Sequence, residues 1–224
     1  MKSHLVAAVV ADLTQLLSSY LAQPITRSRP SSTQDLLSLR QWLLPGDVLL
    51  TDGITRGAAL VRRITRSNWA HVSMYVGPLD QCPDAHCIVE ADVAAGVRSV
   101  PLSEFAGQQV RVLRPKSLSA ADRQRLVDLV VSRIGDAYDL GHAWQLAIEL
   151  RFPLLGRLGS AGSAMAENTT RFICSTLVAR AFVLVGYPIP ALQMGSRAAG
   201  GEGHRYVTPR DFELAPLFEV RLSE

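Results

Sequence analysis

The chain has 224 residues, 48% of them hydrophobic and 19% charged, with 23 Lys and Arg against 20 Asp and Glu for a net charge of +3. That composition supports the core of one generous domain and argues against a disordered chain. The small net charge, without a Lys/Arg run, gives nucleic-acid binding no support, and three cysteines without framework spacing argue against a disulfide scaffold.

Leu5, Val9, Leu13, Leu16, Leu17 and Tyr20 recur at helical spacing and predict an amphipathic N-terminal helix. Its apolar run from Leu5 is stopped by Asp12, short of a transmembrane span, and no signal-type cleavage site follows. Such a helix packs on the domain, or meets a partner or a membrane surface peripherally; the scarcity of basic residues on its polar face favours packing. The expectation is a cytoplasmic protein, membrane-associated only through this helix. The Pro/Ser/Arg-rich segment Gln23–Ser32 reads as a linker, so residues 1–31 form a helix-and-linker extension and residues 32–224 one domain.

A short helix is predicted from Ser32 to Leu43, capped by Ser32 or Thr33. Pro45-Gly46 turns the chain into a buried-type strand, Val48–Leu50, and Gly57–Ile64 forms a helix with Leu60, Val61 and Ile64 on one side. From His71 the pattern becomes β: HVSMYVG, CIVEAD, VRSVPL and QVRVLRP. Val72, Met74 and Val76 alternate with His71, Ser73 and Tyr75, which therefore share the opposite face. Short turns between these strands imply an antiparallel sheet or partial barrel packed against helices, an α+β fold. Ser119 caps a helix with Asp122 in a capping-box-like position, Leu126, Leu129, Val130 and Ile134 as its apolar side and Gly135 as its stop. A turn and a further helix follow from Gly135, then a loop of small residues over Gly156–Asn168. A helix begins at Arg171 or Phe172, with Cys174, Leu177, Val178, Ala181 and Phe182 as its stripe. The tail turns at Pro209 and ends in a strand, Phe218–Leu222. There is no internal repeat.

Three of these segments carry candidate chemistry. Thiolate is the reactive form of cysteine, and a helix N-terminus or a neighbouring imidazolium stabilises it. Cys174 lies in the first turn of its helix, and His71 starts a strand on the face opposite an apolar stripe. Glu90 sits on a strand where Ile88 and Glu90 point the same way; if the strands are neighbours, it stands beside His71 and orients the imidazole. Each residue taken singly is more often structural. Cys82 and Cys87, with Asp84 and His86 between them, invite a zinc reading, but no second cluster completes four ligands, and a loop flanking a strand is the simpler reading. No metal or cofactor is expected.

These flanks resemble the NlpC-type cysteine peptidases of the papain-like superfamily, in circularly permuted order. Pro45-Gly46-Asp47-Val48 matches the first strand element, His71–Gly77 the His strand, Glu90-Ala91 the third-residue strand and Gly96-Val97 the following turn. Cys174-Ser175-Thr176-Leu177-Val178 matches the Cys helix on the C-terminal side, and Gly135–Asp139 resembles the G-x-P-Y segment. The order His, Glu, Cys is similar to that of the permuted, YiiX-like hydrolases. The resemblance implies Cys174 as nucleophile, His71 as general base and acid and Glu90 as orienting residue. It also implies Tyr138, Ser73 and Ser175 along the substrate site and the Cys174 N–H in an oxyanion hole. Ile173, Ser73 and Ala137 depart from the family's Asp, Gly and Pro.

The activity so implied is hydrolysis of an amide through an acyl-thioester, on peptides of cell-wall type. The alternative on the same triad is an acyl lipid, because permuted relatives such as the lecithin:retinol acyltransferase-like proteins handle acyl chains. A non-catalytic binding protein that keeps the fold is the reading from another class, and the presence of all three residue types counts against it. A metal-dependent hydrolase would use the same three side chains as ligands.

Overall fold

The computed structural model describes residues 20, 23–25, 33–82, 84–92, 95–138, 171–172, 174–189 and 207–221. The N-terminal helix expected before Tyr20, the helix expected after Tyr138 and the loop Gly156–Asn168 lie outside them. In chain order the described elements are α1 (Thr33–Trp42), β1 (Val48–Thr51), α2 (Arg56–Thr65), β2 (His71–Tyr75), β3 (His86–Asp92) and β4 (Gly96–Pro101). A 3₁₀ turn (Leu102–Phe105), β5 (Val110–Pro115), α3 (Ala120–Val131), β6 (Ala137–Tyr138), β7 (Arg171–Phe172), α4 (Cys174–Leu184), α5 (Pro209–Leu214) and β8 (Phe218–Arg221) follow.

The architecture is α+β. Six strands form one antiparallel sheet in the order β4-β3-β2-β1-β5-β8. Both faces of its centre are buried, because period-2 alternation sends apolar side chains each way. Val48, Leu50, Val72, Met74, Val89 and Leu113 meet Leu126 and Val130 of α3 and Leu177, Val178 and Phe182 of α4. On the other face Leu49, Tyr75, Ile88 and Val112 pack under Leu39 of α1 and Leu102 and Phe105 of the 3₁₀ turn. The face shared by His71, Ser73 and Tyr75 is therefore a second core over most of its length, with only its His71 end left partly exposed.

The start of the sheet is set by a buried ion pair. Gly46 takes φ +90, a conformation that side chains resist. Asp47 Oδ2 then accepts from Leu44 N–H at 2.8 Å, closing the turn. Asp47 is wholly buried. Its two oxygens accept from Arg114 Nε at 2.9 Å and Arg114 Nη2 at 2.6 Å, so one carboxylate ties the entry of β1 to β5. Arg114 also donates to the Trp42 carbonyl, where α1 ends.

Several expectations shift on folding. Gln23–Ile25, read as linker, is tied to the chain around Thr55, with a Pro24–Thr55 bridge and Arg56 N–H donating to the Gln23 carbonyl at 3.0 Å. α2 forms where its pattern predicts, with Thr55 Oγ1 accepting from Ala58 N–H, yet none of its residues is buried and Leu60 is exposed. An apolar stripe two turns long does not reach the core when the helix rides beyond the end of β1. In α3 Ser119 caps as expected, but the helix stops at Val131, four residues before Gly135, and Ile134 is exposed. Arg171 and Phe172 do not begin α4; they pair in parallel with Ala137 and Tyr138, and the helix starts at Cys174. Pro209 opens a helix instead of a turn. Thr208 and Asp211 complete a capping box around it, and proline is well placed where its missing N–H is not needed. No helix among the described residues is long and apolar enough to cross a membrane.

One glycine permits the approach that brings β6, and through it β7, against the sheet. Gly96 has φ +76, and a Cβ there would lie 2.4 Å from the Asp136 carbonyl oxygen. Val97 N–H donates to that carbonyl and Gly135 N–H to the Val97 carbonyl, both at 2.8 Å.

Two substitutions probe these supports. Asp47→Ala leaves the Arg114 guanidinium largely buried without its partner and should lower the unfolding free energy by about 3–5 kcal/mol, read from urea denaturation. An unchanged midpoint would show that the pair does not hold the β1 entry. Gly96→Ala should displace the β4–β6 contact, exposing the Val97 and Gly135 amides to faster hydrogen exchange than in the parent chain.

Candidate active site

His71 is the first residue of β2 and Cys174 the first of α4. α4 lays Leu177, Val178 and Phe182 on the helix-covered face of the sheet, which carries its N-terminal end to the end of β2. Glu90 arrives from β3: the register Ser73↔Glu90 places it diagonally across from His71 on the same face. Its Oε2 lies 2.8 Å from His71 Nε2. Cys174 interacts with the same imidazole, whose other ring nitrogen, Nδ1, is not engaged by Glu90. The structure thus brings together the three residues singled out by their types and flanks.

The sheet also gives the sulfur a donor. Tyr75 N–H donates to the Asp47 carbonyl just before β1 and Val76 N–H to the Cys87 carbonyl of β3, so successive amides along β2 alternate between its two neighbours. Val72 N–H points toward β3, but the β2–β3 ladder begins only at Ser73. Cys174 occupies the gap and accepts from Val72 N–H and from Ser175 N–H.

The electrostatics follow from this packing. Burial alone pushes the Cys174 thiol up, but the charge and hydrogen bond of His71 and the two backbone donors outweigh it and hold the thiol below its ordinary range. Burial likewise pushes the His71 imidazolium down; the Cys174 thiolate first, then Glu90, reverse this and hold it well above the ordinary imidazole value. Burial raises Glu90, and His71 and Arg98 together bring it below the usual carboxylate value. All three shifts run in the direction of a thiolate–imidazolium pair beside an ionised carboxylate. The side chains of His71 and Glu90 are 23% and 7% exposed, so the ring alone faces outward.

The residues expected along the substrate site stand differently. Ser73 is wholly buried opposite Leu49 and Glu90, and its hydroxyl has no hydrogen-bond partner among the described residues. Ser175 is buried too, and its Oγ donates to the Val207 carbonyl. It serves the site through its backbone N–H, and its hydroxyl ties α4 to the C-terminal segment. The side chain of Tyr138 lies outside the described residues. Cys87 is buried in the second core and Cys82 lies exposed.

Two supports were missed. Arg98 lies opposite Glu90 in the β3–β4 hairpin and holds its second oxygen. The signal was present: a short loop pairing Asp92 with Gly96 puts Glu90 across from Arg98. The other support is the segment from Val207 to Glu213. Trp69, two residues before His71, donates its Nε1–H to Glu213 at 3.0 Å, and Arg111 binds the same oxygen at 2.6 Å while lying over the Trp69 ring. One short segment therefore grips the approach to His71 and, through Ser175, the start of α4. Nothing local in the sequence announces a contact across 144 residues.

Residues 43–149 match the family described as permuted papain-like amidase enzyme, YaeF/YiiX, C92 family. That span contains His71 and Glu90; Cys174 lies beyond it. Among solved structures, one described as metalloprotein yiiX from Escherichia coli O157:H7 superposes with a TM-score of 0.55 at 18% identity, over 80% of this chain and 97% of that one. No curated protein matches the chain in sequence. As for a metal in this chain, no group of three or more His, Cys, Asp or Glu side chains that could hold one is gathered among the described residues. His71 Nε2 and Glu90 Oε2 are in direct contact. That donor set does not fit a metal ion. Over residues 43–149 the chain is thus similar to that permuted papain-like amidase family, and it shares the fold of the solved yiiX structure.

Proposed function

We propose that the chain is a cysteine hydrolase that cleaves an amide through an acyl-thioester on Cys174. The observation that supports it most is one imidazole shared by a thiol and a carboxylate: Nε2 lies on Glu90, and Cys174 interacts with the same ring. The thiolate attacks the carbonyl carbon, and the tetrahedral oxyanion collapses with loss of the C–N bond. The imidazolium proton of His71 goes to the leaving nitrogen. Water then attacks the thioester, His71 takes its proton, and the carboxylic acid leaves as the thiolate–imidazolium pair re-forms. The N–H of Cys174, at the free N-terminal end of α4, is the donor we assign to the oxyanion. Glu90 stays ionised and keeps the ring in the orientation that points its other nitrogen at sulfur.

The amide is inferred from the amidase family, and peptides of cell-wall type are the class we infer first. Intact-mass trapping decides: incubation with such peptides, acyl lipids and simple thioesters should leave a peptide acyl adduct on Cys174, absent in Cys174→Ser. A fatty-acyl adduct would instead assign the lipid reading.

The titration has a definite sign. Cys174 ionises below the ordinary thiol range, so its alkylation by iodoacetamide should become fast at a lower pH than that of a free thiol. Hydrolysis should follow a bell, with its acid limb at the Cys174 ionisation and its alkaline limb where His71, held well above the ordinary imidazole value, loses the proton the leaving group needs. His71→Ala removes the main force opposing burial, so the thiol limb moves up and kcat falls about 10²- to 10⁴-fold. A parent chain in which Cys174 reacts no faster than a free thiol at low pH, and in which no adduct forms, would sink the hydrolase reading.

A further inference from the structure

We propose that Arg98 is a positioning residue for the triad, orienting and charge-balancing Glu90 so that only one carboxylate oxygen reaches His71. The inference rests on the hydrolase reading above and extends it by one residue.

Glu90 has two equivalent oxygens and three side-chain torsions, and a lone hydrogen bond to His71 would leave it free to exchange them. Arg98 removes that freedom. Its Nε donates to Oε1 at 3.1 Å and its Nη2 stands 2.8 Å from the same oxygen, so one planar cation bears on one oxygen. Oε2 is left at 2.8 Å from His71 Nε2. Arg98 is itself held: Nη2 also donates to Glu104 Oε1 at 3.1 Å, from the 3₁₀ turn, and stands 4.0 Å from Asp92 Oδ2 on β3. The chain of contact runs from Glu104 through Arg98, Glu90 and His71 to Cys174. Its order is fixed by the hairpin register Glu90↔Arg98 and Asp92↔Gly96.

The charges explain why a cation belongs there. Glu90 is almost wholly enclosed, and an anion so placed next to a thiolate would repel it. Arg98 offsets that repulsion. The charged groups facing Glu90 are His71 from β2 and Arg98 from β4, and those facing Arg98 are Glu90, Asp92 and Glu104. Removing the guanidinium leaves the full charge of Glu90 bearing on the Cys174–His71 pair. The thiolate is then harder to form and the imidazolium harder to discharge. Both limbs of the pH profile move up.

The test uses the full chain and its Cys174 alkylation and hydrolysis profiles. Arg98→Met should shift the acid limb upward by about one pH unit, as expected for a nearby unit charge at an effective dielectric near 20. It should lower kcat about tenfold or more with KM unchanged. Arg98→Lys keeps the charge but not the fork, so the limb should return toward that of the parent while kcat stays low. On a Glu90→Gln background, Arg98→Met should cost little further in kcat, because the residue acts through Glu90. If Arg98→Met fails to fold, Arg98→Lys carries the test through kcat alone. A parent chain with an early thiolate, together with Arg98 variants that match it in limb and kcat, overturns the inference and leaves the hydrolase reading standing. A parent chain without an early thiolate overturns both.

Discussion

Cys174 and His71 each favour the charged form of the other. Burial opposes both charges, and only their mutual attraction, two backbone N–H groups and Glu90 reverse it. Everything else in the structure serves to keep the first residue of one helix against the first residue of one strand. That contact demands an accuracy that neither element supplies alone.

Accuracy comes from rigid elements meeting at one end of the sheet. α4 is held along its length by the core it shares with β1, β2 and β3. Phe182 meets Phe218 edge-to-face with centroids 5.3 Å apart, and Phe212 stacks on the same ring, which joins the helix to the C-terminal strand. Ser175 and Glu213 add polar ties nearer the reacting groups. The order of the elements along the chain explains this burden on the tail. His71 and Glu90 share one run of strands, whereas Cys174 arrives about a hundred residues after His71, so the C-terminal segment fastens them together. Farther away, the Asp47–Arg114 pair fixes where β1 enters the sheet, and β1 sets the register of β2 and hence of His71.

Much of this could be read from residues alone. The alternation in HVSMYVG and CIVEAD, the cap at Ser119 and the stripe on the Cys helix are local signals, and the elements form there. Reading failed where a short motif had two uses. Pro209 can start a turn or a helix, and Thr208 with Asp211 decides for the helix. Arg171-Phe172 carries helix-compatible residues but finds a strand partner in Ala137-Tyr138, a pairing set by distant chain. Ser73 and Ser175 matched positions in a motif, yet packing turned their hydroxyls into the protein.

The sequence by itself determined the candidates: a thiol at a helix start, an imidazole at a strand start and a carboxylate one strand on, each position following from local periodicity and capping. Only the tertiary structure decided that they meet, that Val72 N–H is left unpaired by the ladder for the sulfur, and that Arg98 claims one oxygen of Glu90. The reason is physical. Periodicity and capping act over a few residues, whereas strand register and the docking of α4 depend on the summed packing of elements far apart in the chain. The ionisation of the pair depends in turn on a burial that exists only after that packing is complete.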